Sequence, residues 1–341
     1  MVILSEKQRL SPSPRAGYPE AVMAQEDAFG RTIDYLRVSV TDRCNEKCLY
    51  CMPDGYRGWA CAPERMSADE ILAVVDAAAG LGFRKIRLTG GEPLVRRDLV
   101  EIATRIWNLP GIETLGLSTN GVMLAPVARE LKQAGVRSVN VSLDALDPAK
   151  YHQITGGKVS RVLDGLAAAR DANFEVIKLN CVLLRGLNES EILPLAHYAS
   201  AHGHPLRFIE LMPMAGPFDF EQHFLSLNHA VELLGGWGTL KPVQAPRLGH
   251  GPARYWHHQP SGAKIGLIGA LTFEHFCETC NKLRLTSDGK LRPCLGREGE
   301  IDLRAAVSPA DALRAAIANK PADHTFSDGK QNSRPMTAIG G

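Results

Sequence analysis

Short apolar runs rich in β-branched residues recur along the first two thirds of the chain, each followed by a longer stretch with helical spacing. The runs at 35–40, 85–89, 114–118, 138–144, 176–183 and 206–211 predict six strands. Between them, apolar positions three and four apart predict helices over 67–81, 98–107, 124–134, 159–172 and 189–202. The first helix opens on Ser67-Ala68-Asp69-Glu70, a capping box whose hydroxyl and carboxylate satisfy amides that a helix end leaves orphaned. Strands alternating with helices pair in parallel through right-handed crossovers. Six such units fall short of the eight that close a standard barrel. The expected fold is therefore α/β, a partial (β/α)6 TIM-like barrel open on one side, with its active face at the strand C-termini.

After about residue 215 the rhythm breaks. Gly235, Gly236, Gly238, Pro242, Pro246, Gly249, Gly251 and Pro252 interrupt it, and shorter strands are expected at 264–268, 283–286 and 290–292. Ser287-Asp288-Gly289 reads as the hairpin turn between the last two, and 310–318 as a closing helix. The organisation expected is a flexible extension over 1–28, the partial barrel over 29–215, and a region over 216–341 whose antiparallel strands close it. The extension carries Ser11-Pro12-Ser13-Pro14 and scattered acids, and lacks the apolar core of a signal peptide.

Period-two spacing separates the two faces of each strand. In the fourth, Val139, Val141 and Leu143 alternate with Asn140, Ser142 and Asp144. The same rule pairs Arg37 with Ser39, Arg87 with Thr89 and Lys178 with Asn180, and leaves Arg207 as the polar member of an apolar strand. These residues point into the lumen, where an ordinary barrel keeps Val, Ile and Leu. Converging buried cations without carboxylates are costly unless a polyanion joins them, and a nucleoside triphosphate fits that need. Any one of them taken alone could sit at a strand end and reach solvent. Arg96 and Arg97 are weaker phosphate candidates.

Composition makes that conclusion local. The chain has 341 residues, 45% of them hydrophobic, enough for a sizeable core. Its 39 Lys+Arg and 37 Asp+Glu leave a net charge of +2, so no overall field holds it on nucleic acid or an anionic membrane. No apolar run reaches the roughly 18 residues of a membrane span, and a cytoplasmic location is expected.

Of eight cysteines, six form two triplets, Cys44/Cys48/Cys51 and Cys277/Cys280/Cys294. Such clustering in an unsecreted chain favours metal over disulfides. The first triplet lies in the first β/α loop, at the active face. Three thiolates can hold three irons of a 4Fe-4S cluster and leave the fourth open. A three-thiolate zinc site with a remote ligand is the alternative. Zinc is a stronger alternative at the second triplet, where His257, His258 or His275 could complete four ligands. Cys61 and Cys181 read as small buried hydrophobes, and His197, His202 and His204 as surface residues around a helix end.

The segment Cys44-Asn45-Glu46-Lys47-Cys48-Leu49-Tyr50-Cys51, followed after the second strand by Thr89-Gly90-Gly91-Glu92-Pro93, resembles the two hallmarks of radical S-adenosylmethionine enzymes. Cys280-Asn281-Lys282-Leu283-Arg284 through Cys294 resembles the C-terminal cluster region of the GTP 3′,8-cyclase family, the molybdenum cofactor biosynthesis protein A group. Ser118-Thr119-Asn120-Gly121, Asn140-Val141-Ser142-Leu143-Asp144, Thr155-Gly156-Gly157 and Gly340-Gly341 support the resemblance. It implies two 4Fe-4S clusters, on Cys44, Cys48 and Cys51 and on Cys277, Cys280 and Cys294. It also implies S-adenosylmethionine contacts at Tyr50, Gly91, Ser142 and Met212. GTP contacts are implied at Arg37, Arg87, Ser118, Lys178, Lys282, Leu283 and Arg284, with Arg207 added on strand geometry.

Two positions depart from the family pattern. Lys282 stands where the family more often has Arg, keeping the charge but losing the planar fork, and Ser118 stands where Thr is commoner. Met at a strand end is otherwise a core filler, and two terminal glycines are otherwise a frayed tail. The implied reaction is reductive cleavage of S-adenosylmethionine, abstraction of H3′ from GTP, and C3′–C8 closure to 3′,8-cyclo-7,8-dihydro-GTP. Implied partners are a flavodoxin or ferredoxin as electron donor, cyclic pyranopterin monophosphate synthase as the next enzyme, and a second copy in a homodimer. The rival readings are a two-cluster peptide maturase and a zinc-ribbon nucleic-acid-binding protein fused to a barrel.

Overall fold

One twelve-stranded sheet organises the chain. The computed structural model describes residues 24–52, 65–214, 218–244, 251–328, 334 and 336–340. Most of the N-terminal extension, Cys61 and Gly341 lie outside them. A short antiparallel pair, β1 (Gln25–Glu26) and β2 (Thr32–Ile33), precedes the sheet. The six expected strands follow as β3 (Tyr35–Ser39), β4 (Lys85–Thr89), β5 (Thr114–Thr119), β6 (Ser138–Ser142), β7 (Val176–Leu183) and β8 (Leu206–Glu210). They are parallel neighbours in sequence order. Helices α1 (Ala68–Gly80), α2 (Leu99–Asn108), α3 (Ala128–Gln133), α4 (Pro148–Thr155), α5 (Val159–Asp171) and α6 (Ile192–Ala201) fill the connections.

The strand periodicity reappears as burial. Leu36, Val38, Ile86, Leu88, Leu115, Leu117, Val139 and Val141 join Ile71, Val75, Ile102, Ile106, Leu131 and Val162 of the helices in one core. The capping box is formed, with Ser67 Oγ accepting from the Glu70 amide at 3.1 Å and Glu70 Oε2 from the Ser67 amide at 2.7 Å. The third helix starts later than its apolar spacing predicts, at Ala128. Pro126 accounts for that, since proline supplies no amide and constrains the residue before it. Helix α4 was not anticipated, although its signals were present. Asp147 caps the Ala149 and Lys150 amides, Pro148 takes the first turn, and Gly156 ends it at φ 70°.

The C-terminal region departs from expectation in topology. It contributes α7 (Phe220–His223), α8 (Leu227–Trp237), β9 (Thr239–Val243), β10 (Arg254–Gln259), β11 (Lys264–Ile268), β12 (Lys282–Leu285), β13 (Lys290–Arg292), β14 (Ile301–Asp302), α9 (Pro309–Ala318) and α10 (Met336–Ile339). Strand β11 pairs in parallel with β8 and β12 in parallel with β3, and antiparallel strands follow outward on both sides. These strands therefore lengthen both edges of the six-stranded core, and no hydrogen-bonded pairing of β14 with β9 closes the sheet. An open parallel sheet has two edges of unsatisfied backbone groups, and this arrangement pairs both. The hairpin at Ser287-Asp288-Gly289 is as expected, joining β12 to β13 with Gly289 at φ 82°. Helix α8 runs through Gly235 and Gly236 because Leu227, Ala230 and Leu234 are buried and Trp237 stacks on His258 at 3.6 Å, enough to offset two poor helix formers. Among the described residues no helix is long and apolar enough to cross a membrane.

Candidate active site between two cysteine triplets

Parallel register lines up like charges. Arg284 on β12 pairs with Arg37 on β3, which pairs with Arg87 on β4, and the next position is Gly116 on β5. A Cβ at Gly116 would lie 2.6 Å from Arg87 Nη2, so glycine makes room for that guanidinium. Arg87 donates to Tyr35 Oη at 2.6 Å, the Leu117 carbonyl at 2.9 Å and Ser138 Oγ at 3.2 Å. Further round the sheet Ser118, Asn140 and Lys178 share a row, and Asn180 pairs with Arg207, whose Nε donates to Asn180 Oδ1 at 2.8 Å. Lys282 Nζ lies 5.7 Å from the Tyr35 ring centre and donates to Asn281. Leu283, between Lys282 and Arg284, turns its side chain into the core.

These cations feel one another. Burial, Arg284, Arg87 and Arg207 bring Arg37 down to about 9. Burial, Arg207 and Arg87 bring Lys178 down to about 6. Tyr35 moves to about 8, because Arg87, Arg37 and Lys282 together outweigh a burial that would raise it. The lumen expected from strand alternation is thus present, and its partners are neutral oxygens. Arg96 is not part of it. That side chain is locked on Asp98 through two bonds, at 2.8 and 2.9 Å, and on the carbonyls of Val40 and Met66.

The first triplet leaves the C-terminal end of β3. Its loop is seated on the end of α4, where the Lys47 and Leu49 amides donate to the Thr155 and Ile154 carbonyls, both at 2.9 Å. Buried Glu46 accepts from Tyr151 Oη at 2.8 Å, and a Cβ at Gly157 would stand 2.0 Å from Glu46 Oε1. The Thr155-Gly156-Gly157 motif is therefore a socket for the cysteine loop. Gly90 and Gly91 play the matching part on the other side: each added Cβ would lie 2.4 Å from a carbonyl oxygen, of Thr41 and Arg43 respectively. The Gly91 and Glu92 amides bond those same carbonyls, at 2.8 and 2.7 Å. Glu92 in turn accepts from Thr119 Oγ1 and the Asn120 amide, both at 2.7 Å, tying in the loop after β5. Tyr50 Oη donates to Asp144 Oδ2 at 2.7 Å. Ser142 and Met212 stand half-buried at the same end of the sheet, on or after β6 and β8.

Burial pushes the Cys44 and Cys51 thiols up to about 12 and Cys48 well above its usual range, with nearby carboxylates and sister thiols adding to the effect. A cationic centre that accepts thiolates removes that penalty.

Cys280 lies two residues before β12 and Cys294 two residues after antiparallel β13, so the second triplet lies at the opposite end of the strands from the first. Burial raises Cys277 to about 11. At Cys280 burial is outweighed by Lys320 and Lys282, and the thiol falls to about 7. The histidines considered as zinc ligands are engaged elsewhere or lie on another edge: His258 bonds Ser261 and stacks on Trp237, His257 is on β10, and His275 bonds Glu278. Among the described residues no three His, Cys, Asp or Glu side chains are set to enclose a single metal ion. A 4Fe-4S cluster makes a different demand, spreading its thiolates over separate irons.

The segment 336–340 is docked on the sheet. Its Thr337 amide donates to the Cys51 sulfur, and the Gly340 carbonyl accepts from Arg284 Nη1 at 2.7 Å. Gly340 has φ 79°, and an added Cβ would lie 2.8 Å from Thr89 Cγ2 and 3.0 Å from Ser39 Cβ. Cys181 is buried as expected, but His204 is buried as well, against the surface reading, and its pKa falls to about 4 through burial, His202 and Arg170.

A family model described as the radical SAM superfamily matches residues 38–199, and one described as Molybdenum Cofactor Synthesis C matches 204–326. A GTP 3′,8-cyclase of Pelotomaculum thermopropionicum is 42% identical over 328 residues, covering 93% of this chain and 100% of the relative. Another, of Moorella thermoacetica, is 40% identical over 326 residues, again covering 93% and 100%. Among solved structures, Streptococcus suis SuiB bound to S-adenosylmethionine superposes with TM-score 0.59 at 14% identity, over 84% of this chain and 64% of that one. Native anSMEcpe with bound AdoMet gives 0.60 at 15%, over 86% and 82%. At such identities these two speak to the fold.

Proposed function

The chain belongs to the GTP 3′,8-cyclase family of radical S-adenosylmethionine enzymes, and on that premise we propose how its residues divide the work. The enzyme catalyses the first step of molybdenum cofactor biosynthesis with two 4Fe-4S clusters and S-adenosylmethionine. When bound, these groups supply a 5′-deoxyadenosyl radical that takes H3′ from GTP, after which C3′ bonds to C8 to give 3′,8-cyclo-7,8-dihydro-GTP. In our reading Cys44, Cys48 and Cys51 hold the radical-generating cluster. Tyr50, Gly91, Ser142 and Met212 border S-adenosylmethionine at that end of the lumen. Tyr50 is fixed by Asp144, and Gly91 offers backbone where a side chain cannot fit.

Arg37, Lys178, Arg207, Lys282 and Arg284 take the GTP phosphates, with Arg87 orienting Tyr35 and Ser118 lying on the Lys178 row. Leu283 contributes its backbone. Cys277, Cys280 and Cys294 would hold the second cluster, which would serve to bind the guanine base. The role assigned to the Gly340-Gly341 tail is to exclude water, supported by the bond from Arg284 to the Gly340 carbonyl.

One observation carries this reading: the Arg284–Arg37–Arg87 row lies along strands whose two ends lead to the two cysteine triplets. A polyanion held there would have one cluster on either side. A one-electron donor such as flavodoxin or ferredoxin would meet exposed Arg43 and Arg97, which share a cavity of about 680 Å3 with Cys44. The protein works in the cytoplasm, as a monomer or homodimer, and passes its product to cyclic pyranopterin monophosphate synthase.

The test is anaerobic incubation of the reconstituted protein with GTP, S-adenosylmethionine and reductant, followed by mass analysis. We expect the cyclised nucleotide together with 5′-deoxyadenosine. Cys48→Ala abolishes both, and Cys294→Ala loses GTP binding and cyclisation while the first cluster still assembles. Unimpaired GTP turnover by Cys294→Ala refutes the assignment of the second triplet.

A further inference from the structure

Lys320 follows α9, outside every motif discussed so far, and it is only 4% exposed. Its ammonium donates to the Lys282 carbonyl and to the Pro293 carbonyl, both at 2.8 Å, and its charge pulls the neighbouring Cys280 thiol down. Lys282 lies two residues beyond Cys280, and Pro293 immediately precedes Cys294. One side chain therefore stitches together the two strands that carry these cysteines.

The third cysteine is held from the same segment. Arg31, itself buried, donates to the Cys277 carbonyl at 3.1 Å and to the carbonyls of Ala322 and Pro321 at 2.8 and 2.6 Å. Asp27 neutralises Arg31 through a 2.6 Å bond to Nε. Among the described residues no carboxylate forms an ion pair with Lys320, and its oxygen partners are two backbone carbonyls. A buried ammonium without a counter-charge costs several kcal/mol. The one partner able to carry negative charge is Cys280, and a thiolate-ligated cluster would supply that charge.

We propose that Lys320 is a positioning residue for the second cluster, joining the Cys280 and Cys294 strands and serving as counter-ion to the cluster's thiolates, while Arg31 sets Cys277. The inference rests on reading that triplet as a cluster site. A positive charge and a hydrogen bond at a cluster sulfur stabilise the reduced state, so Lys320 holds the reduction potential up as well as retaining iron.

The experiment uses the full chain with Cys44, Cys48 and Cys51 all replaced by Ala, so that only the second triplet binds iron. Lys320→Met and Lys320→Gln are made in that background and reconstituted anaerobically. We expect both to shift the midpoint potential to more negative values, and Lys320→Met to lose iron to a chelator severalfold faster. Folding is checked by circular dichroism, and if Met prevents it, Gln alone decides. A potential and a chelation rate equal to those of the Lys320 parent overturn the proposal. Failure of the underlying reading looks different: the parent itself then binds no iron, or keeps its iron when Cys277→Ala is added.

Discussion

Arg37 and Arg284 stand directly opposite each other on adjacent parallel strands, two guanidinium groups paired where a sheet would ordinarily place apolar or opposite charges. Like charges in register are destabilising, and loss of hydration together with the neighbouring guanidinium groups drops Arg37 to about 9. Such an arrangement stores binding energy for an anion, and the consequences can be measured.

Replacing Arg37 with Met removes a repulsive partner and, on the proposed reading, one phosphate contact as well. We expect the apo protein to lose less stability than Arg87→Met does, because relief of like-charge repulsion offsets part of what is removed. GTP affinity should fall about tenfold to a hundredfold, the effect of losing a charged hydrogen bond. Arg87→Met behaves differently, because Tyr35 Oη, the Leu117 carbonyl and Ser138 Oγ lose their donor. Its apo form should lose on the order of 1–3 kcal/mol. Thermal unfolding and titration calorimetry separate the two, and equal destabilisation with normal GTP binding by Arg37→Met would make Arg37 a structural cation.

Lys178 predicts a pH dependence. Its folded pKa, about 6, lies below the unfolded value, so between the two the unfolded chain binds the extra proton. Apo stability from this residue therefore rises with pH through that window, and the cost is fully present below about 6. A bound triphosphate would reverse the shift, so GTP binding at pH 7.5 should take up a proton. Calorimetry in buffers of different ionisation enthalpy measures this uptake. Lys178→Met should abolish it while raising the apo melting temperature by about 1–2 degrees, the response of a chain this long to roughly 1 kcal/mol. Proton uptake unchanged in the variant removes Lys178 as its source.

Gly157→Ala tests the socket of the first cysteine loop. The new methyl would meet Glu46 Oε1 at 2.0 Å, while Glu46 is held by Tyr151. Iron of the first cluster should become labile to chelation, with the second cluster unaffected. Gly156→Asn is the control: it occupies a left-handed position at φ 70°, but nothing lies within 4 Å of its Cβ. Equal iron retention in Gly157→Ala and the control would show that the loop does not depend on this contact.

Gly340→Ala adds a methyl between Thr89 and Ser39 at a positive φ. The tail should leave Arg284, and product formation should fall severalfold without change in iron content. A synthetic peptide of the last residues should restore part of the activity to a chain truncated after Ile339. Wild-type turnover by that truncated chain would reduce the docked tail to a packing contact.

Local pattern settled a large part of this protein. Apart from α4 and the start of α3, strand and helix positions from β3 to α6 follow from apolar period, because burial on one face is a short-range property of sequence, and period two also told the lumen side of Arg37, Arg87 and Lys178. The cysteine spacings and the Thr89-Gly90-Gly91-Glu92-Pro93 loop carried the family resemblance. The pairings between distant segments were not legible. Nothing local states that β12 adds to β3 and β11 to β8, since edge pairing is chosen by which strands reach the two open edges. Register decided that Arg284, Arg37 and Arg87 form one row and that Gly116 yields its space to Arg87. Arg31 and Lys320 were invisible for the same reason. Their partners lie far along the chain or on separate strands, and a single buried cation gives no periodic signal until the fold brings its acceptors together.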